Sequence, residues 1–157
     1  MLENNWLGSK TDGGFYKRIK DEKGKSTILS LDLKTLEYSP VKKVSFETVS
    51  EARKVTNVLD RFPILIEGKD KAGEFYRFNF GTMFSYIQNR IPEISDEIYR
   101  IDDALRAGFG WKNGPFQIWD SIGIKKGVEI MKSLGYEPAP WISEMVNNNT
   151  VSYTHLR

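Results

Sequence analysis

The sequence predicts a mainly helical domain that carries a β-hairpin at its N-terminal end. From about residue 46 onward, apolar residues recur at three- and four-residue steps, which places them on one face of a helix. Before that point, short extended segments alternate with turn residues, as in antiparallel strands. The chain has 157 residues, 39% of them apolar and 13% aromatic, which is enough to bury the core of one domain.

The predicted hairpin lies in the first 45 residues. GGFYKRI (13–19) and STILSLDL (26–33) are predicted to be strands, the second one from its apolar and β-branched residues, and DEKGK between them is predicted to be the turn. TLEYSP (35–40) continues as an extended segment that ends at a proline. Because two strands alone are marginally stable in water, we expect the hairpin to lie on a larger body.

A series of helices is predicted for the rest of the chain. Each has an apolar face and breaking residues near its ends, and in order they cover 46–62, 64–68, 70–91, 94–107, 115–122, 123–135 and 138–146. Asp70 is the expected N-cap of the longest helix. Phe78 and Tyr86 broaden the apolar stripe of that helix, so we expect it to be buried on more than one side. Ser95 and Asp102 are candidate caps of the helix that follows.

Charge and composition exclude several classes of function. The 23 basic and 21 acidic residues give a net charge of +2, without the clustered basic face of a nucleic-acid-binding protein. The densest basic run, 17–25, is interrupted by Asp21 and Glu22, which is typical of a solvated hairpin. No apolar run approaches the roughly 20 residues that span a bilayer, and the N-terminal residues do not resemble a secretory signal. We therefore expect neither a nucleic-acid nor a membrane partner.

The chemistry-bearing residues are few. The chain has no cysteine, which excludes disulfides, thiolate metal sites and a cysteine nucleophile, and which fits a cytoplasmic location. Its single histidine, His155, is the third residue from the end of the sequence and is a weak candidate for a catalytic base. We expect no catalytic residue and no metal site in this chain.

The glycine-rich stretch GFGWKNGPFQIWDSIG (108–123) has two interpretations. Gly108, Gly110 and Gly114 are spaced as GxGxxxG, one residue off the dinucleotide-binding fingerprint. That fingerprint requires a preceding strand, whereas IDDALRA before it has the composition of a helix. The alternative is a tight corner between buried helices, with positive φ at Gly108 and Gly110 and a new helix that begins at Gly114–Pro115.

The corner interpretation gives the stretch a structural role. Phe116, Trp119 and Ile122 are spaced to face inward together. Asp120 cannot join them without a partner, so we expect it to accept backbone N–H bonds or to pair with a neighbouring base. The predicted structural motif comprises Gly108, Gly110, Gly114, Pro115, Phe116, Asp120 and Gly123.

Residues 108–123 resemble the GxGxxxGPFE-x-x-D-x-x-G signature of the C-terminal domain of 3-hydroxyacyl-CoA dehydrogenases, with Gln117 where the family usually has Glu. LGSKTDGGFYKR (7–18) resembles the motif that closes the same domain. Because the closing motif comes first, the chain is similar to the end of one repeat, a linker hairpin and a complete second repeat. This order resembles bacterial fusion proteins of fatty-acid β-oxidation, with an NAD-binding domain before two such repeats and an enoyl-CoA hydratase domain after them.

The resemblance implies a helical fold like that of the C-terminal domain of 6-phosphogluconate dehydrogenase. It also implies that the parent protein oxidises a 3-hydroxyacyl-CoA to the 3-ketoacyl-CoA with NAD. In the family, the catalytic histidine, its glutamate and the NAD loop belong to an upstream Rossmann domain, which no segment here matches. The resemblance therefore implies no NAD-binding residue in this chain, and we expect the isolated chain to be inactive.

Asn89, followed by Arg90, is the second-repeat counterpart of a family asparagine. The resemblance leaves two roles open for Asn89, a hydrogen bond to a helix end or a position near the acyl-CoA substrate. It also implies that the second repeat packs against the first and walls the acyl-CoA cleft. The aromatic residues that suit such an interface, or an ordinary core, are Phe75, Tyr76, Phe78, Phe80 and Phe84.

These comparisons predict the boundaries 1–45 for the end of the first repeat and the linker hairpin, 46–147 for the helical domain and 148–157 for a tail. We expect the chain to be a fragment of a longer protein. VSYTHLR (151–157) resembles a translated frame of a transposase-type sequencing adapter, and we expect it to lie outside the fold; a natural polar tail is the alternative. The alternative function is a non-enzymatic helical interaction module.

Overall fold

The computed structural model describes residues 2–11, 13–20 and 24–148. It divides the chain into two compact units, Met1–Val44 and Ser45–Arg157. The segment 151–157, with His155 and the predicted adapter origin, lies outside the described residues. In the described ranges, no helix has the length and apolar character needed to cross a membrane.

The first unit is a small antiparallel sheet. Its strands, in the order β1-β2-β3, are Tyr16–Lys20, Ser26–Leu31 and Tyr38–Pro40. The first two form the predicted hairpin, with Lys17 opposite Leu29, and the predicted extended segment adds a third strand. The Tyr38 hydroxyl donates to the Gly14 carbonyl oxygen at 2.7 Å, which fastens β3 to the chain before β1.

The second unit is helical, which confirms the predicted fold class. Its helices α1 to α7 are Glu47–Arg53, Arg61–Glu67, Lys71–Gln88, Ile98–Phe109, Pro115–Ile122, Ile124–Ser133 and Pro140–Asn147. The helix predicted over 46–62 is shorter, since α1 ends at Arg53, and the helix predicted over 64–68 begins before Pro63 as α2. A proline fits there because the first-turn N–H groups of a helix have no intrahelical partner.

Stacked aromatic rings form the centre of the helical core. Phe84 and Trp119 are fully buried, their ring centroids are 4.5 Å apart and their planes differ by 11°. Met131 is also fully buried. Other buried apolar residues of this core include Ile66, Ile87, Ile98, Ile101, Phe116, Ile118, Ile122, Ile124, Ile130 and Ile142. Helices α2 to α7 all contribute, so the core belongs to the unit as a whole.

Two glycines allow helices of this unit to approach closely. A Cβ at Gly81 of α3 would lie 2.6 Å from Leu134 Cδ1, just after α6. A Cβ at Gly127 of α6 would lie closer than 3.0 Å to the indole of Trp119. Real Cβ atoms essentially never approach other atoms so closely. At Gly127 the obstacle is the ring of the fully buried Trp119, so this position requires glycine, whereas at Gly81 a Cβ would require the end of the Leu134 side chain to shift.

The predicted burial of the longest helix on more than one side is wrong within this unit. Phe75, Phe78 and Tyr86 are 60%, 58% and 61% exposed. At 3.6 residues per turn they lie on the face of α3 opposite the fully buried Phe84. Apolar character made the stripe look wide, but only the Phe84 side packs against other helices of the unit.

Candidate functional site

The glycine-rich stretch forms the corner between α4 and α5. Gly110 follows α4 with φ 66° and ψ 25°, the left-handed conformation that ends many helices. Gly108 was expected to share this role, but it lies inside α4 and has no positive φ, so that expectation is wrong. Pro115 is the first residue of α5, where its missing N–H has no cost. Gly123, with φ 95°, joins α5 to α6.

A buried carboxylate from α4 caps α5. Asp102 is fully buried, and its Oδ1 accepts a hydrogen bond from the Phe116 N–H at 2.8 Å. Its Oδ2 accepts from the Gln117 N–H at 3.1 Å. The first N–H groups of a helix lack intrahelical partners, and a negative charge there interacts favourably with the helix dipole. The prediction that Asp102 caps its own helix is therefore wrong, because it lies within α4 and caps the next one.

Gly114 and Gln117 complete this cap. A Cβ at Gly114 would lie closer than 3.0 Å to the Asp102 carboxyl group, so the carboxylate occupies the space of a side chain. The Gln117 Oε1 accepts a hydrogen bond from the Gly114 N–H at 3.0 Å. A glutamate would offer the same acceptor atom, so Gln117 in place of the usual Glu keeps this contact.

The other residues of the stretch divide between core and surface. Phe116, Trp119 and Ile122 are 3%, 0% and 8% exposed, as their spacing predicts. Asp120 is half-buried on α5. The hydrogen bonds from the first N–H groups of α5 are accepted by Asp102, a residue for which the sequence predicted a different role. One feature of the sequence pointed to the role of Asp102. It is an acidic residue on the apolar face of α4, four positions after Ile98 and three before Leu105.

Asn89 lies at the C-terminal end of α3. It is exposed, and its Nδ2 donates to the Ser85 carbonyl oxygen at 2.9 Å, within its own helix. Of the two roles left open by the sequence, this geometry matches the hydrogen bond to a helix end.

The buried neighbour of Asn89 was not predicted from the sequence. Gln88 is 1% exposed, its Nε2 donates to the Glu137 carbonyl oxygen at 2.9 Å, and its Oε1 accepts from the Ala139 N–H at 2.8 Å. The Trp141 indole N–H donates to the Gln88 carbonyl oxygen at 3.1 Å. These contacts fix the segment before α7 to the end of α3.

A second carboxylate bridges helices elsewhere in the unit. Asp70 caps α3 as predicted, since its Oδ1 accepts from the Gly73 N–H at 3.0 Å. It also accepts from the Thr48 hydroxyl at 2.8 Å and the Thr48 N–H at 3.1 Å, near the start of α1. Desolvation acts to raise the pKa of Asp70, but the hydrogen bonds from Gly73 and Thr48 outweigh it, and the pKa is lowered. Within the ranges that the structure covers, no cluster of three His, Asp or Glu residues could hold a metal ion.

Residues 82–155 match the family model described as 3-hydroxyacyl-CoA dehydrogenase, C-terminal domain. The match includes the α4–α5 corner and Asn89. Residues 82–155 belong to this family. The family resemblance of the glycine-rich stretch is thereby confirmed, and the corner is a feature of a dehydrogenase C-terminal domain.

Curated relatives extend the likeness beyond the matched domain. The chain is 35% identical, over 98% of its length, to a probable 3-hydroxyacyl-CoA dehydrogenase of Bacillus subtilis. It is 30% identical, over 81% of its length, to putative fatty acid oxidation complex trifunctional enzymes of Rickettsia prowazekii and Rickettsia felis. The chain spans 19% of the Bacillus relative and 16% of each Rickettsia relative. No solved structure gives a significant match.

Proposed function

We propose that residues 46–147 are the second C-terminal repeat of an NAD-dependent 3-hydroxyacyl-CoA dehydrogenase that acts in fatty-acid oxidation, and that residues 1–45 are the end of the preceding repeat and a linker hairpin. The role of the second repeat is to pack against the preceding repeat and to hold the acyl-CoA cleft in shape. The parent protein oxidises the 3-hydroxyl group of an acyl-CoA to a ketone and contains further domains, among them a Rossmann domain and an enoyl-CoA hydratase domain. The names of the relatives support the reaction class and the multidomain parent.

The hydrogen bonds made by the backbone N–H groups of the signature residues carry this proposal. A helix N-terminus that binds the diphosphate of NAD offers its free N–H groups to the ligand. At the start of α5, the N–H groups of Phe116 and Gln117 already donate to Asp102, and that of Gly114 donates to Gln117. Because these donors are already used within the chain, they support our assignment of NAD binding to another domain of the parent.

The exposed face of α3 supports the packing role. Of the five aromatic residues expected at an interface, Phe84 belongs to the core, Tyr76 and Phe80 are half-buried, and Phe75 and Phe78 are largely exposed. Two exposed phenylalanines one turn apart on a long helix are typical of a protein–protein contact. We assign them to the contact with the preceding repeat.

Turnover by the purified chain is the first test. We expect it not to catalyse the reduction of acetoacetyl-CoA by NADH, because the groups that make and break bonds belong to another domain. A measurable rate that scales with chain concentration would overturn this assignment. If the full parent protein is also inactive, the non-enzymatic interaction module becomes the better interpretation.

The packing role is tested in the full parent protein with the double change Phe75→Ser and Phe78→Ser. We expect lower thermal stability of the parent and a lower dehydrogenase rate, with little change in the unfolding of the isolated chain. Leu33→Ser, which also replaces an exposed apolar side chain, is the matched control. Equal behaviour of the double variant and the control would contradict the proposed contact.

A further inference from the structure

Asn113 is the only asparagine of the sequence that precedes a glycine. An asparagine side chain reacts with the backbone nitrogen of the next residue, and glycine hinders this attack least because it has no Cβ. The nitrogen forms a bond to the asparagine Cγ and gives up its proton, through water, to the side-chain amide, which leaves as ammonia. Water then opens the resulting five-membered imide to aspartate or isoaspartate. An Asn–Gly pair in an unfolded chain therefore deamidates readily.

The closed α4–α5 corner restrains the nitrogen that attacks. The Gly114 N–H donates to Gln117 Oε1 at 3.0 Å, which directs it toward α5. Gly114 also lies so close to the Asp102 carboxyl group that no Cβ fits between them, and this contact opposes rotation of the Gly114 peptide unit. The nitrogen must lose its proton to bond to Asn113 Cγ, so the hydrogen bond to Gln117 has to break first.

The side-chain carbonyl oxygen of Asn113 is shielded from water. This Oδ1 is buried and has no hydrogen-bond partner among the residues that the structure describes. During the attack the oxygen gains negative charge, which a buried position without a donor does not stabilise. The closed corner thus disfavours the reaction at both the nitrogen and the carbonyl group.

We propose that Asn113 is a site of spontaneous deamidation that becomes reactive only when the α4–α5 corner opens, and that Gln117 holds off the reaction. Deamidation makes such an opening permanent. Aspartate at position 113 places a second carboxylate one residue from the glycine that contacts Asp102. Isoaspartate lengthens the backbone before that glycine and shifts it from its place. This proposal is independent of the reaction assigned to the parent.

Peptide mapping by mass spectrometry on the full 157-residue chain, incubated with and without urea, tests the proposal. It separates asparagine, aspartate and isoaspartate at position 113. In urea, Asn113 should react faster than Asn89, which precedes arginine. In the folded chain, Asn113 should react at least about tenfold more slowly than in urea, because the corner must then open first. Equal rates in both conditions, or no reaction in urea, would overturn the proposal.

Changes at Gln117 separate the effect of its hydrogen bond from protection by folding in general. Gln117→Ala should speed deamidation in the folded chain by about two- to tenfold, the effect of one hydrogen bond on the opening equilibrium. Gln117→Glu keeps an acceptor for the Gly114 N–H and should react no faster than the wild type. Gln88→Leu, which removes two hydrogen bonds to the segment before α7, should also leave the rate unchanged. No acceleration in Gln117→Ala, or equal acceleration in either of the other variants, would refute the role of Gln117.

Discussion

Replacement of Gly114 by alanine should strongly destabilise the helical unit. The added Cβ would lie closer than 3.0 Å to the Asp102 carboxyl group. Asp102 is fully buried, so its carboxylate has no nearby solvent-exposed position to adopt. A shift of this group takes the acceptor away from the N–H groups of Phe116 and Gln117, which are 2.8 and 3.1 Å from its oxygens.

The size of the effect follows from these two hydrogen bonds. A hydrogen bond to a charged group contributes about 1.5–3 kcal/mol, and a donor left unsatisfied in a buried position adds its desolvation cost. Loss of both bonds around a buried carboxylate should therefore cost about 3–5 kcal/mol. A domain is stable by only about 5–15 kcal/mol in total, so Gly114→Ala should bring the unit close to unfolding.

Urea unfolding followed by tryptophan fluorescence measures this, because the indole of Trp119 is fully buried. Gly108→Ala is the matched control from the same stretch. Gly108 lies inside α4, and a Cβ there would meet no atom within 4 Å, so this change should stabilise the unit by about 0.5–1 kcal/mol. The reasoning is refuted if Gly114→Ala unfolds within about 1 kcal/mol of the wild type, the size of an ordinary substitution.

Three further changes test other contacts of the helical unit. Gln88→Leu removes two hydrogen bonds to the segment before α7 and should speed hydrogen exchange in α7 while exchange in α6 stays unchanged; equal rates in α7 would contradict the anchoring role. Gly81→Val should cost about 1–3 kcal/mol in chemical unfolding by overpacking against Leu134, and wild-type stability would refute the close approach of α3 and α6. Asp70 has a lowered pKa in the folded state, so its carboxylate stabilises the fold above the ordinary value of 3.8 and loses this contribution as the pH falls through the folded pKa. The stability difference between wild type and Asp70→Asn should shrink in acid, and a constant difference in a pH series of urea unfolding would refute the assignment.

Local signals in the sequence were sufficient for much of the fold. The helical spacing of apolar residues predicted the helical character of residues 46–146, and Pro115 marked the start of α5. Asp70 was identified as a cap because the donor that it caps, the Gly73 N–H, lies only three positions away. In each of these cases the interacting groups are neighbours along the chain.

Contacts between distant residues were not predicted. Asp102 was expected to cap its own helix, because its true partners lie 14 and 15 positions later and meet it only after α4 and α5 pack together. Phe75 and Phe78 were left open between an interface and the core, because apolar spacing shows that a face avoids water but not which neighbour covers it. Gly108 was placed after the helix, since composition alone does not distinguish a helical glycine from a terminal one.

The N–H groups that follow a glycine-rich stretch distinguish a phosphate loop from a structural corner. Both patterns place glycine before a helix, and both leave the first N–H groups of that helix without backbone partners. In a phosphate loop these donors bind the phosphate groups of the ligand. Here the chain provides its own anion, Asp102, from the preceding helix, and Gly114 lacks a side chain so that this anion fits. An acidic residue on the apolar face of the helix before such a stretch is therefore evidence for a structural corner. In this chain, the Asp102 carboxylate explains why position 114 is glycine, which the spacing alone would attribute to nucleotide binding.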